Sequence, residues 1–135
     1  MRVTLDTNVL LSIAAFHSKN MRLMLAWICQ EHQLVLSSYV VGECYEVVRR
    51  KKPSLVSSLD RFFAALPFEL EHTPQTLPKH NLFIIRDCDD EKVLYSAITA
   101  DADILITGDK DFFDILIEKP IILTPRQFME KYMLM

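Results

Sequence analysis

Five short apolar or alternating segments, at residues 3–5, 34–37, 82–85, 103–107 and 121–123, are separated by longer stretches with helical periodicity. That alternation most constrains the fold. Thr7 or Asn8 can cap a helix through Val9, Leu10, Ile13 and Ala14, and a second helix over about 20–31 carries Leu23, Met24, Trp27 and Ile28 on one face. A third runs from Ser37 to about Lys52, where Pro53 stops it, and a fourth spans about 54–66. Residues 68–71 alternate like an exposed or edge strand, and 73–80, with Pro74 and Pro78, read as a loop. Further helices are predicted over 87–101 and 110–116, and Pro125 opens a closing helix through Phe128 and Tyr132. Strands alternating with helices imply an α/β domain with a central, mainly parallel sheet covered on both faces. No repeat or linker divides the chain, so one domain over 1–135 is expected.

Composition narrows the function classes. Three cysteines, Cys29, Cys44 and Cys88, are odd in number and widely spaced, which fits a reducing cytoplasm better than a disulfide framework or zinc site. The start, Met-Arg-Val-Thr-Leu-Asp, meets a carboxylate before any signal-like apolar run, and no segment approaches the roughly 20 apolar residues of a membrane span. A cytoplasmic protein without a membrane partner is the expectation. The net charge of −3 does not advertise nucleic-acid binding, so charge has to be read by location.

Asp6, Glu43, Asp90 and Asp109 fall where strands hand over to helices. In open α/β sheets that is the side on which sites form. An acid ending a buried first strand, as Asp6 does, is poorly explained by solubility. Glu43 borders the stripe Val40, Val41, Cys44, Val47 and Val48, whereas Glu46 points away and can pair with Arg49 and Arg50. Asp87, Asp89, Asp90 and Glu91 crowd a helix start, which alone suits the helix dipole. Asp90 nevertheless lies one turn before Val93, Leu94, Ala97 and Ile98, which requires a partner for it; the choice between Asp89 and Asp90 as the inward acid stays open. Gly108 marks a turn that a Cβ would hinder, or a close backbone approach, beside Asp109 and Asp111, for which turn chemistry and helix capping are the rival reading.

Several carboxylates without a His/Cys set suit Mg²⁺ or Mn²⁺ rather than zinc, and such ions serve phosphodiester hydrolysis. His17, His32, His72 and His80 sit in loops or at element ends. The run Arg49, Arg50, Lys51 and Lys52 can hold RNA phosphates or simply complement the negative end of its helix. Phe62-Phe63 and Phe112-Phe113 are expected in the core, though one ring of each pair can remain exposed for a partner or for base stacking, and the Met-rich tail is either docked on the sheet or an apolar patch that pairs subunits.

Taken in order, Asp6-Thr7-Asn8, the stretch from Ser37 to Glu43, Asp87 to Asp90, and Thr107 to Phe112 resemble the PIN-domain ribonucleases, in particular the small prokaryotic PIN proteins classed as toxins of toxin–antitoxin modules. The resemblance spans nearly the whole chain and implies a three-layer α/β/α PIN-like fold. It implies a metal and catalytic set of Asp6, Glu43, Asp90 and Asp109, with Asp89 and Asp111 as additional or alternative ligands and Asn8 and Thr107 in support through hydrogen bonds. It also implies Mg²⁺- or Mn²⁺-dependent cleavage of single-stranded RNA by an activated water, a cognate antitoxin and a homodimer. A dehalogenase-like phosphatase would need an acid where Asn8 stands, and a response-regulator receiver a Lys where Thr124-Pro125-Arg126 follow the last strand. The alternative from another class is a catalytically weak PIN-like module that binds RNA or protein, its acids forming a structural metal site.

Overall fold

Val3, Leu5, Leu34, Leu36, Ile104 and Ile106 are fully buried or nearly so, and they come from three strands that lie side by side at the centre of one sheet. The computed structural model describes residues 1–15, 18–73 and 88–134, of which 88 and 89 by backbone alone. Strand β1 (Arg2–Leu5) is followed by α1 (Thr7–Ala14) and α2 (Lys19–Glu31). Next come β2 (Gln33–Ser37), α3 (Ser38–Lys51), α4 (Val56–Ala65) and β3 (Glu69–Glu71). The remainder holds α5 (Cys88–Thr99), β4 (Ile104–Ile106), β5 (Ile121–Leu123) and α6 (Pro125–Phe128). The strands pair in parallel in the order β3-β2-β1-β4-β5. This is the expected α/β/α architecture with a parallel sheet, and residues 69–71 do form an edge strand.

Chain order reverses around β1: the chain moves outward to β2 and β3 on one side and reaches β4 and β5 on the other. Such a reversal opens a crevice at the carboxyl ends of the strands. Leu5 pairs with Ile106, and the Asp6 N–H donates to the Ile106 carbonyl at 3.0 Å, so the residues following β1 and β4 emerge together.

Local chemistry departs from expectation in four places. Neither Thr7 nor Asn8 caps α1: the N-cap is Asp6 itself, whose carboxylate accepts the Thr7 N–H. The helix expected over 110–116 is a short 3-10 turn, Lys110–Asp114. Gly108 has open space where a Cβ would stand and its φ is not positive, so neither a hindered turn nor a close approach accounts for it. The closing helix passes from α6 into a wider π-type turn over Met129–Met133. Its Phe128 is buried in the same core as the central strands and meets Trp27 of α2 edge-on, with ring centres 5.9 Å apart, which docks the tail on the domain. Phe112 is buried in the core and Phe113 remains partly exposed, while Phe62 and Phe63 are both half-buried against the core and touch each other. The strand expected over 82–85, the loop over 74–80 and the side chains of Asp87 and Asp89 lie outside the described residues. Among the described residues no helix is long and apolar enough to cross a membrane.

Candidate metal centre

β1 is buried along residues 3–5, and the chain keeps its direction for one more residue before α1 begins, which leaves the Asp6 carboxylate only 6% exposed. Both of its oxygens are engaged. The Thr7 N–H donates to Oδ1 at 2.7 Å, and the Thr107 hydroxyl donates to Oδ2 at 2.8 Å. Thr107, fully buried at the end of β4, also accepts the Asp109 N–H at 3.1 Å, and Asp109 Oδ1 accepts the Asp111 N–H at 2.9 Å. Asp109 thus caps the 3-10 turn, as the capping reading expects.

Two helices supply the other acids. The Ser37 hydroxyl accepts the Val40 N–H at 3.1 Å, capping α3 and fixing the helix that carries Glu43 in its second turn. The Thr7 hydroxyl donates to Glu43 Oε1 at 2.7 Å. Asp90 stands in the first turn of α5, and Asp90, Asp109 and Asp111 each offer a carboxylate oxygen within 4.8 Å of the others. Among the described residues, the expected site residues Asp6, Glu43, Asp90, Asp109 and Asp111 therefore join one region, strung together by Thr7 and Thr107. Asn8 is exposed, and its carbonyl accepts the Ser12 hydroxyl within α1. Arg49, Arg50 and Lys51 occupy the far end of α3 and Lys52 caps it, roughly 9–13 Å along the axis from Glu43 at about 1.5 Å per residue, and they do not converge with the acids. Lys51 and Lys52 border an apolar groove lined by Leu11, Val48 and Leu55.

Burial pushes the Asp6 carboxyl above its ordinary range, and the Asp109 charge adds to that, while the hydrogen bonds from Thr107 and Thr7 pull the other way. Burial, with the neighbouring charges of Glu43 and Asp6 adding to it, pushes the Cys44 thiol up to about 12. The donors present are carboxylate oxygens. Around a hard ion with bonds of about 2.1 Å, opposite ligand atoms stand about 4.2 Å apart, and oxygens within 4.8 Å of one another match that requirement. The carboxylates of Asp90, Asp109 and Asp111 fit a hard divalent cation.

Thr7 is the site residue that sequence reasoning missed. Its position after an acid and before an apolar helix reads as capping, and the long-range hydroxyl contact leaves no local signature.

The PIN domain model matches residues 2–111, a span that runs from β1 through Asp6, Glu43, Asp90 and Asp109 to Asp111. The chain belongs to the PIN domain family. Two solved structures share the fold of this PIN domain. The crystal structure of VapBC2 from Rickettsia felis, bound to a DNA fragment from their promoter, matches with a TM-score of 0.70 at 19% identity, covering 92% of this chain and 98% of that one. Mycobacterium tuberculosis VapC20, a sarcin-ricin loop cleaving toxin, matches with a TM-score of 0.56 at 12% identity, covering 83% and 93% respectively. No curated protein matches the sequence. At these identities the likeness to the solved chains is one of fold.

Proposed function

We propose that this PIN domain, one nuclease unit over 1–135, is a Mg²⁺- or Mn²⁺-dependent endoribonuclease acting on single-stranded RNA, with Asp6, Glu43, Asp90 and Asp109 as its metal-binding and catalytic acids. The observation that carries the reading is the Asp6 carboxylate, buried, tied through Thr107 to Asp109, and raised in pKa by burial and by that neighbouring charge. A cluster of acids with that electrostatic strain is relieved by a hard cation. Asp111 adds an oxygen to the same cluster, and Asp89 is the alternative on α5.

When bound, the ion supplies neutralisation of phosphate charge and a water of lowered pKa. The chain supplies the rest. Asp6 is held in one orientation by two donors, Glu43 is held by Thr7, and Thr107 stabilises the ionised Asp6 with its hydroxyl while its own oxygen orients the Asp109 backbone. Arg49 to Lys52 would take phosphates away from the scissile bond. VapC20 being a toxin and VapBC2 standing on promoter DNA support a toxin role with a cognate antitoxin; a homodimeric state and a cytoplasmic site of action complete the proposal.

The test is cleavage of a mixed single-stranded RNA pool by purified protein in Mn²⁺, in Mg²⁺ and in EDTA, with Asp6→Asn alongside. Cleavage that needs both metal and Asp6 is the expected result. A folded protein that binds the pool but cuts nothing in either metal would overturn the nuclease assignment and favour a binding module.

A further inference from the structure

Thr7 does two separable things at the start of α1. Its N–H, one of the amides that a helix N-terminus leaves without an intrahelical acceptor, donates to Asp6 Oδ1, and its hydroxyl donates to Glu43 Oε1, both at 2.7 Å. The residue is 6% exposed, so the second bond is not a surface accident.

The two carboxylates differ in side-chain length. Asp6 has a short side chain and donors on both oxygens. Glu43 reaches the crevice from α3 on a longer side chain with three rotatable bonds. A β-branched residue is stiff at χ1, so a threonine hydroxyl is a more rigid anchor than a serine or a water. Replacing the hydroxyl with a methyl group would leave the backbone bond to Asp6 intact and remove only the hydroxyl's bond to Glu43 Oε1. Asn8, the neighbour expected to support the site, faces solvent instead.

We infer that Thr7 is a positioning residue whose hydroxyl locks the Glu43 carboxylate beside Asp6 and so preorganises the pair for a divalent cation. This rests on the metal-dependent reading above. Outer residues that orient metal ligands typically change metal affinity by 10–100-fold.

The experiment is Mn²⁺ titration by calorimetry of the full chain as wild type, Thr7→Val, Thr7→Ala, Thr7→Ser and Asp6→Asn, with thermal unfolding in EDTA to confirm that each folds. Thr7→Val is expected to weaken Mn²⁺ binding by about tenfold or more. Thr7→Ala should match it, Thr7→Ser should recover most of the affinity, and Asp6→Asn should lose binding. In cleavage assays Thr7→Val should lower kcat with little change in KM for RNA, because the group it releases does not hold the rest of the substrate. If Thr7→Val unfolds, Thr7→Ala carries the comparison. Mn²⁺ binding by folded Thr7→Val or Thr7→Ala at wild-type affinity, or Thr7→Ser no better than Thr7→Val, overturns the positioning role and leaves the nuclease reading standing. A wild type that takes up no Mn²⁺ overturns that reading and this inference with it.

Discussion

At Asp6 a carboxylate has given up most of its water at the end of a buried strand, and the two hydrogen bonds it receives do not fully offset that loss. Its folded-state pKa lies above the unfolded one, so the folded metal-free protein holds its proton more tightly than the unfolded chain does. The associated stability is fully present below the unfolded value and is lost as pH rises through the folded value. Thermal unfolding in EDTA should therefore show a melting temperature that falls as pH rises from the ordinary carboxylate range. Asp6→Asn should flatten that trend and melt no lower than wild type near neutrality; a marked loss of stability in this variant, without metal, would count against the strained-acid picture. Asp6 and Glu43 stand out as candidates in the sequence because an acid ending a buried strand or bordering an apolar helical stripe has no solubility motive. Asp90 stands out only jointly with Asp89, and Asp109 competes with turn chemistry and capping. Thr7 does not stand out, since a hydroxyl gives no periodic signal and its partner lies thirty-six residues away.

Helices and turns decide how precisely those acids are held. α3 carries Glu43 and starts at the Ser37 cap, so Ser37→Ala should cost about 1 kcal/mol of stability and loosen the helix end nearest the site. Phe112 follows Asp111 and is fully buried, anchoring the 3-10 turn that Asp109 caps. Phe112→Ala should cost about 3–5 kcal/mol, read as a lowered urea midpoint, and should weaken Mn²⁺ binding through displacement of Asp109 and Asp111. An unchanged midpoint would show that the turn is not anchored there. Periodicity located nearly all the described elements, but it could not distinguish a five-residue 3-10 turn from a short α-helix at 110–114, because one turn of apolar residues fits both. Capping by Asp6 rather than Thr7 was invisible for a related reason: three successive residues that can cap stand in a row.

Across the whole molecule, the site exists because β1 and β4, about a hundred residues apart in sequence, are neighbours. Alternating strands and helices predicted a parallel sheet, and the family resemblance predicted its layers; neither local pattern contains the order β3-β2-β1-β4-β5. That order puts the chain reversal at β1 and brings Asp6 and Thr107 together, and α3 and α5 then deliver Glu43 and Asp90 from the flanks. The central claim is that these acids form a single hard-cation site. Its most direct test is a crystal structure of the protein grown with Mn²⁺, read from the anomalous signal of the metal. The account predicts a peak about 2.1–2.2 Å from oxygens of Asp6, Asp90 and Asp109, with Glu43 turned toward it by Thr7. Well-ordered crystals at saturating Mn²⁺ with no peak among these residues would contradict it.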